Sequence, residues 1–177
     1  MLDTTALIID EIKQQLTREF AFLSQWTVSF DNAKRRAGIC RLSSKEICIS
    51  RSHALNNSEE VVRDTILHEF AHAIAYELFN EAGHGKRWKE IAIKIGATPK
   101  ASGKFNLPNA PWLLVHRCGK SNQLHPIGER YRRNKKIKNY FLTGRPETKG
   151  ELYFVAQSEF EQFRQGVLEQ SSLVLVQ

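Results

Sequence analysis

Apolar residues recur at helical spacing over residues 3–24, where Leu7, Ile8, Ile12, Leu16 and Phe20 line up and Asp3 or Thr4 can cap the helix start. The pattern then changes to alternation. Residues 26–30 read as a short strand, and residues 37–42 and 46–50 read as two more around a Ser43-Ser44 turn. A two-residue turn sets Arg41 opposite Glu46 as a cross-strand ion pair, although the turn lacks the Gly or Asn that such hairpins favour, so a longer turn fits equally. A second helix starts at Asn57 or Ser58, carries Glu59 and Glu60 in its first turn, and runs to about Phe79 along Val61, Ile66, Phe70, Ala73 and Ile74. Glu81-Ala82-Gly83-His84-Gly85 interrupts it. Residues 86–95 are helical again through Trp88, Ile91 and Ile95, and Gly96 stops them.

Beyond residue 98 the texture is different. All five prolines lie there, and short apolar runs at 112–115, 140–142 and 152–155 alternate with basic loops before a helix that Ser158 caps, through Phe160, Phe163 and Leu168. The expected architecture is α+β, with one compact region over residues 1–98 and a smaller β-rich appendage with a C-terminal helix over residues 99–177. Charge follows the same division. The chain is +7 overall, yet residues 100–150 hold 12 Lys or Arg against 2 Asp or Glu. The basic stretch points to a polyanion such as nucleic acid, against the plainer reading of a solvated surface. Three cysteines, Cys40, Cys48 and Cys118, do not make a disulfide framework. No apolar run reaches membrane-spanning length, and Met1-Leu2-Asp3 has no secretory character, so a cytoplasmic protein with reduced thiols is expected.

The chemistry centres on His68-Glu69-Phe70-Ala71-His72, inside the strongest helix. Residues i and i+4 stack on one helix face, so both imidazoles reach a single ion. Glu69 lies about 100° around the helix from His68. It is free to act as a base on a water that the ion holds. Neutral imidazoles suit Zn²⁺, and a catalytic site needs one more protein ligand and an open position. His84, between two glycines in a turn that folds the next helix back, is the choice for the third ligand. Glu77 falls on the wrong face; Glu81 and Glu90 are alternatives that helix geometry alone does not exclude. The spacing after His72 and a single methionine exclude the metzincin pattern. His53 is read as a loop residue.

Ala37-Gly38-Ile39-Cys40 with Glu46-Ile47-Cys48-Ile49-Ser50, then Thr65-Ile66-Leu67-His68-Glu69-Phe70-Ala71-His72, then Gly83-His84-Gly85-Lys86-Arg87-Trp88 together resemble the SprT/Spartan group of zinc metalloproteases. The resemblance covers about residues 2–95 and continues more weakly beyond. It implies a small zincin-type core around the H-E-x-x-H helix, one Zn²⁺ per chain on His68, His72 and His84, and Glu69 as catalytic acid/base. It also implies action on proteins crosslinked to DNA, as Spartan proteases have. The appendage departs from the family pattern. Where many relatives carry two Cys pairs of a zinc ribbon, this chain has His116-Arg117-Cys118 and then no cysteine near residues 140–145. His116, His125 and Cys118 lack a fourth donor, so a ribbon-like β unit that folds without metal is expected, held by Trp112, Leu114, Tyr140, Leu152 and Phe154.

Within the appendage, Arg130, Tyr131, Arg132, Arg133, Lys135, Lys136 and Lys138, with Tyr140 and Phe141 following, form a candidate surface for phosphates and stacked bases. Tyr76, Arg51 and Tyr131 are the candidates for stabilising an oxyanion, and the strand at 46–50, taken as a sheet edge, is the candidate for pairing with an extended substrate. The expected function is a zinc metallopeptidase acting on protein substrates, DNA-associated ones included. The alternative is a nucleic-acid-binding protein whose zinc site is structural or silent.

Overall fold

The computed structural model describes all 177 residues, which divide into two compact units, Met1–Pro108 and Asn109–Gln177. The first contains helix α1 (Leu2–Glu19), strands β1 (Thr27–Asp31), β2 (Gly38–Arg41) and β3 (Glu46–Ser50), and helices α2 (Arg51–Asn56), α3 (Glu59–Phe79) and α4 (Lys86–Ile95). The first helix is shorter than its apolar pattern predicts. It ends at Phe20, whose extended backbone (φ −121°, ψ 77°) hands over to a 3₁₀ segment, Ala21–Gln25, that carries Leu23 and Trp26 into the core. Leu7, counted with the apolar side, is exposed.

Ile8, Ile12 and Leu16 of α1, Ile47 and Ile49 of β3, and Ile66, Phe70 and Ile74 of α3 form one buried cluster with Trp26 and Trp88. α3 is therefore the central helix of this unit and is apolar on more than one side, as a helix covered by several neighbours must be. Its end is clean: Asn80 takes the left-handed conformation (φ 53°) and returns its N–H to Tyr76 O at 2.8 Å.

The sheet order is β1-β3-β2, with β1 and β3 parallel and β2 and β3 antiparallel. The strand at 46–50, expected as an edge, is central, and β2 is the edge. Arg41 does stand opposite Glu46 and pairs with it, across a four-residue turn in which Lys45 takes φ 50°. Ser50 N donates to Ala37 O at 2.8 Å, which fixes the ladder phase. Ala37, Ile39 and Arg41 face β3, and the backbone groups of Gly38 and Cys40 turn outward.

His53 is not in a loop but buried in α2, a helix too short to leave a periodic signal and capped by the Ser50 side chain, which accepts from His53 N at 3.1 Å. Residues 97–107, of which sequence texture assigns 99–107 to the appendage, pack with the first unit. Thr98 N donates to Asp64 Oδ1 (2.7 Å), Asn106 N to Asn57 Oδ1 (2.7 Å) and Asn57 Nδ2 to Asn106 O (3.1 Å). Phe105 meets the His53 ring edge-on at 5.0 Å.

The second unit is a three-stranded antiparallel sheet, order β5-β4-β6, of β4 (Trp112–Arg117), β5 (Leu124–Arg130) and β6 (Leu152–Ala156), followed by helix α5 (Gln157–Arg164). β5 has no apolar alternation to announce it. It contains Pro126 and Gly128, which an edge strand with a register shift tolerates. The strand expected at 140–142 is a turn region after a 3₁₀ segment, Ile137–Asn139, and Tyr140 is exposed rather than core. Leu114, Ile137, Leu152 and Phe154 fill one face of the sheet, with Trp112 beside them; Leu113, Val115, Val155, Phe160 and Leu173 fill the other. α5 begins after Ala156, not at Ser158, and ends before Leu168.

Candidate metal centre

α3 presents His68 and His72 one turn apart, and the turn before α4 brings His84 to them. His84 Nε2 lies 3.0 Å from His72 Nε2 and 3.0 Å from His68 Nε2. The turn owes its shape to Glu81. Its Oε1 accepts the Trp88 N–H at 2.8 Å, which caps the first turn of α4. A Cβ on Gly85 would approach the same carboxylate to 2.6 Å, so glycine there leaves Glu81 its place, whereas a Cβ on Gly83 would meet nothing. Trp88, fully buried, packs its ring against all three imidazoles, with centroids 4.7, 5.2 and 4.5 Å from His68, His72 and His84.

The carboxylates that compete for the third position are engaged elsewhere. Glu77 binds Trp26 Nε1 at 3.0 Å and Lys45 Nζ at 2.8 Å, Glu81 caps α4, and Glu90 pairs with Arg87 at 3.0 Å.

Three imidazole nitrogens facing one point are an unfavourable arrangement without a cation. Protonated rings would repel, and neutral rings can pair only where one of them carries its proton on Nε2, whereas a cation would serve all three. Burial, then the charges of the neighbouring histidines, pushes His72 down to about 3. Burial and His84 also lower His68, against the opposing pull of Asp64; burial and Lys89 lower His84. All three rings are therefore held neutral with lone pairs available, the state in which imidazole binds a metal. The group formed by His68, His72 and His84 could hold a metal ion. It is an all-nitrogen set of three, and such a set with no thiolate fits Zn²⁺ with one position left over.

Glu69 is not part of this nitrogen cluster and reaches β2. A Cβ on Gly38 would stand 2.9 Å from Glu69 Cγ and from Glu69 Oε1, so the carboxylate occupies the space that a side chain on β2 would fill. Burial raises the Glu69 carboxyl to about 7 against the opposing pulls of Arg36 and the Cys40 backbone N–H. It therefore holds and releases a proton near neutral pH. Burial, and then the Glu69 charge, raises the Cys40 thiol, which stays protonated. A groove of about 1380 Å³ passes over these groups, walled by Arg36, Gly38 and Cys40 on the β2 side and by residues 100–105 on another. That volume exceeds the range usual for small-molecule sites.

The remaining sequence candidates lie elsewhere. Arg51 stacks over Phe30 at 5.3 Å, Tyr76 packs against the core, and neither lines the groove; Tyr131 belongs to the second unit. Sequence reasoning missed Arg36 and Gly38. A glycine two residues into a strand was the available signal for a close approach. In the second unit, Arg132, Lys135, Lys136 and Lys138 are exposed. Arg130 Nη1 donates to Glu129 O at 2.8 Å, and the Arg133 guanidinium lies over the Trp112 ring at 4.5 Å. His116 Nε2 is 2.8 Å from Glu151 Oε2 and its ring stacks on His125 at 5.8 Å, while Cys118 is a free thiol. These do not converge on one point as the first-unit histidines do.

The fold and site define a mixed α+β protein with a three-histidine group that could hold a metal ion, two of its members on the central helix. The sequence profile of the SprT-like family matches residues 6–110, and the chain belongs to that family. Protein SprT of Actinobacillus succinogenes is 30% identical over 96 residues, covering 52% of this chain and 56% of that protein. Protein SprT of Glaesserella parasuis is 28% identical over 120 residues, 62% of this chain and 77% of that protein. Protein SprT of Pseudomonas putida is 32% identical over 74 residues, 41% of this chain and 45% of that protein. The chain thus spans about half the length of two of these relatives and about three quarters of the other. No solved structure matches the chain. No helix is long and apolar enough to cross a membrane.

Proposed function

We propose that this chain is a zincin-type metallopeptidase that binds one Zn²⁺ through His68, His72 and His84 and hydrolyses peptide bonds in proteins, with the cytoplasm as its compartment. The observation that carries this reading is the separation of roles on α3: two histidines converge with His84 while the carboxylate between them stays out of the ligand set. A structural metal site has no use for a buried, proton-exchanging carboxyl beside it. When bound, Zn²⁺ supplies Lewis acidity toward a carbonyl oxygen and lowers the pKa of water in its open position.

The chain's own groups do the rest. Glu69 Oε takes a proton from the attacking water and passes it to the leaving amine. Trp88 fixes the three rings and excludes water behind them. The outward backbone groups of Gly38 and the outward carbonyl of Cys40 on β2 orient an extended peptide by strand addition, the part that sequence reasoning assigned to the strand at 46–50.

The test is Glu69→Gln in the zinc-loaded chain, with casein as substrate. The expected result is a ~10²–10⁴-fold loss of cleavage with zinc content unchanged. Activity within a few-fold of wild type refutes the role of Glu69. The exposed cations Arg132, Lys135, Lys136 and Lys138, with Tyr140 and Phe141 exposed nearby, support nucleic acid as a partner and DNA-associated proteins as substrates. The second reading, a nucleic-acid-binding protein with a silent zinc site, rests on the same cations. Salt-dependent DNA binding with no cleavage of casein, in the presence or absence of single-stranded DNA, favours it.

A further inference from the structure

β1 and β2 are joined by residues 32–37, a loop whose last charged residue enters the groove. Arg36 is anchored there at one nitrogen: Nη2 pairs with Asp31 Oδ2 at the end of β1. Asp31 is itself fixed, with Oδ1 accepting the Ala33 N–H at 2.9 Å. The other terminal nitrogen, Nη1, is buried and has no hydrogen-bond partner. Leaving Nη1 in this state is costly, because its N–H groups have given up water without gaining an acceptor.

The side chain as a whole, 37% exposed, gives the vacancy a meaning. Arg36 lines the groove together with Gly38, Glu69 and the three histidines. Its charge pulls on the Glu69 carboxylate, yet the two make no ion pair. Gly38 leaves the Glu69 carboxylate room against β2, so the carboxylate, the outward backbone of β2 and the arginine are gathered over one stretch of the groove. The vacancy thus calls for an acceptor oxygen that is part of neither Asp31 nor Glu69.

We propose that the Arg36 guanidinium, whose hydrogen-bonding capacity Asp31 only half uses, is the donor for the substrate oxygen that gains negative charge during peptide hydrolysis, with Asp31 as the residue that holds it in place. The inference rests on the peptidase reading and names the oxyanion donor for that site, a role that Tyr76, Arg51 and Tyr131 do not fill from their positions. Arg36 gives up no proton; it only donates hydrogen bonds, and a preset cation strengthens them as charge develops on the oxygen. The ligand class is a peptide carbonyl in its tetrahedral, anionic form.

The experiment uses the full zinc-loaded chain and two probes in titration calorimetry. One is a phosphinic tripeptide, alanine-based, whose tetrahedral P–O⁻ group imitates the charged carbonyl. The other is acetohydroxamate, which needs only the metal. Arg36→Gln is expected to weaken the phosphinic peptide by about 10²-fold, and to lower kcat on casein by a similar factor with KM nearly unchanged. Arg36→Lys, which keeps the charge and the pairing with Asp31 but loses the fork, is expected to fall between the two. Acetohydroxamate affinity and zinc content stay at wild-type values in both variants.

If Arg36→Gln loses zinc or its thermal transition, Arg36→Lys decides alone, by the same ratio of the two probes. A phosphinic affinity within threefold of wild type overturns the proposal, as does a wild-type chain that fails to bind the phosphinic peptide. If wild type cleaves nothing but its phosphinic affinity still depends on Arg36, the anion site stands and the peptidase reading falls. If casein is cleaved equally by wild type and Arg36→Gln, the reading stands and Arg36 falls.

Discussion

Each unit of this chain buries a histidine beside a carboxylate, and the two corners do different things with it. In the first, His72 faces two other imidazoles, and the nearby carboxylate, Glu69, reaches β2. In the second, His116 is spent on Glu151 at 2.8 Å and stacked on His125, with Cys118 free on the following turn. Both corners hold enough donor atoms to tempt a count of ligands. What separates them is whether ring nitrogens face one another or are already matched with an acid. His116 has its Nε2 spent on an acid. Three histidines facing one another form a group that could hold a metal ion.

The sharpest test of that contrast is to remove one ring from each corner. His72→Ala is expected to reduce bound zinc from one per chain to none in elemental analysis, whereas His116→Ala leaves the zinc content untouched. Equal loss from both variants would erase the distinction.

Next in size is Gly38→Ala. The added Cβ would stand 2.9 Å from Glu69 Cγ and Oε1, so the carboxylate must move. Cleavage of casein is expected to drop roughly 10²-fold, the effect of misplacing a catalytic group by about 1 Å. Zinc content and the thermal transition should change little.

In the second unit, Glu151→Ala leaves the buried His116 ring without its partner at Nε2, when Nδ1 already has none. The expected cost is at the low end of about 1–3 kcal/mol, because Glu151 is itself one-third exposed, and it should appear in chemical denaturation without any change in zinc.

The smallest effect concerns His53. Burial, against a weaker opposing pull from the Val61 carbonyl, lowers its pKa below 6.5 in the folded chain. The unfolded chain takes up that proton as pH drops below 6.5 and the folded chain resists, so stability falls with acidity. His53→Gln should make the decline between neutral pH and pH 5 shallower than in wild type, as measured by urea midpoints. An unchanged slope would mean that His53 titrates freely.

Much of the metal centre was legible because it rests on helix arithmetic. His68 and His72 need only the i, i+4 rule, and the glycine-flanked turn of His84 points back at them. The groove was not legible. Gly38-Ile39-Cys40-Arg41 and Glu46-Ile47-Cys48-Ile49 look alike as strings, and nothing local says that the first is the edge and the second the centre. Only the near-complete burial of β3 and its pairing on both sides decide it. Arg36 was invisible for the same reason: a loop arginine gains its meaning from Asp31, five residues earlier, and from the helix that packs across Gly38. β5 was missed because Pro126 and Gly128 read as breakers when no neighbour is known, and α2 because six residues are too few for a period.

The outward backbone of β2 has a further consequence, for self-association. An uncovered strand edge is a template for any extended chain, including another copy of the same molecule. Here the strand is only four residues long and half-buried, and the exposed Lys34 and Arg35 crowd its entrance with positive charge. Two such edges brought together antiparallel would set these cations against the edge of the other copy, where Arg41 adds one more. Short length and like charge thus make this edge a poor template for a second copy.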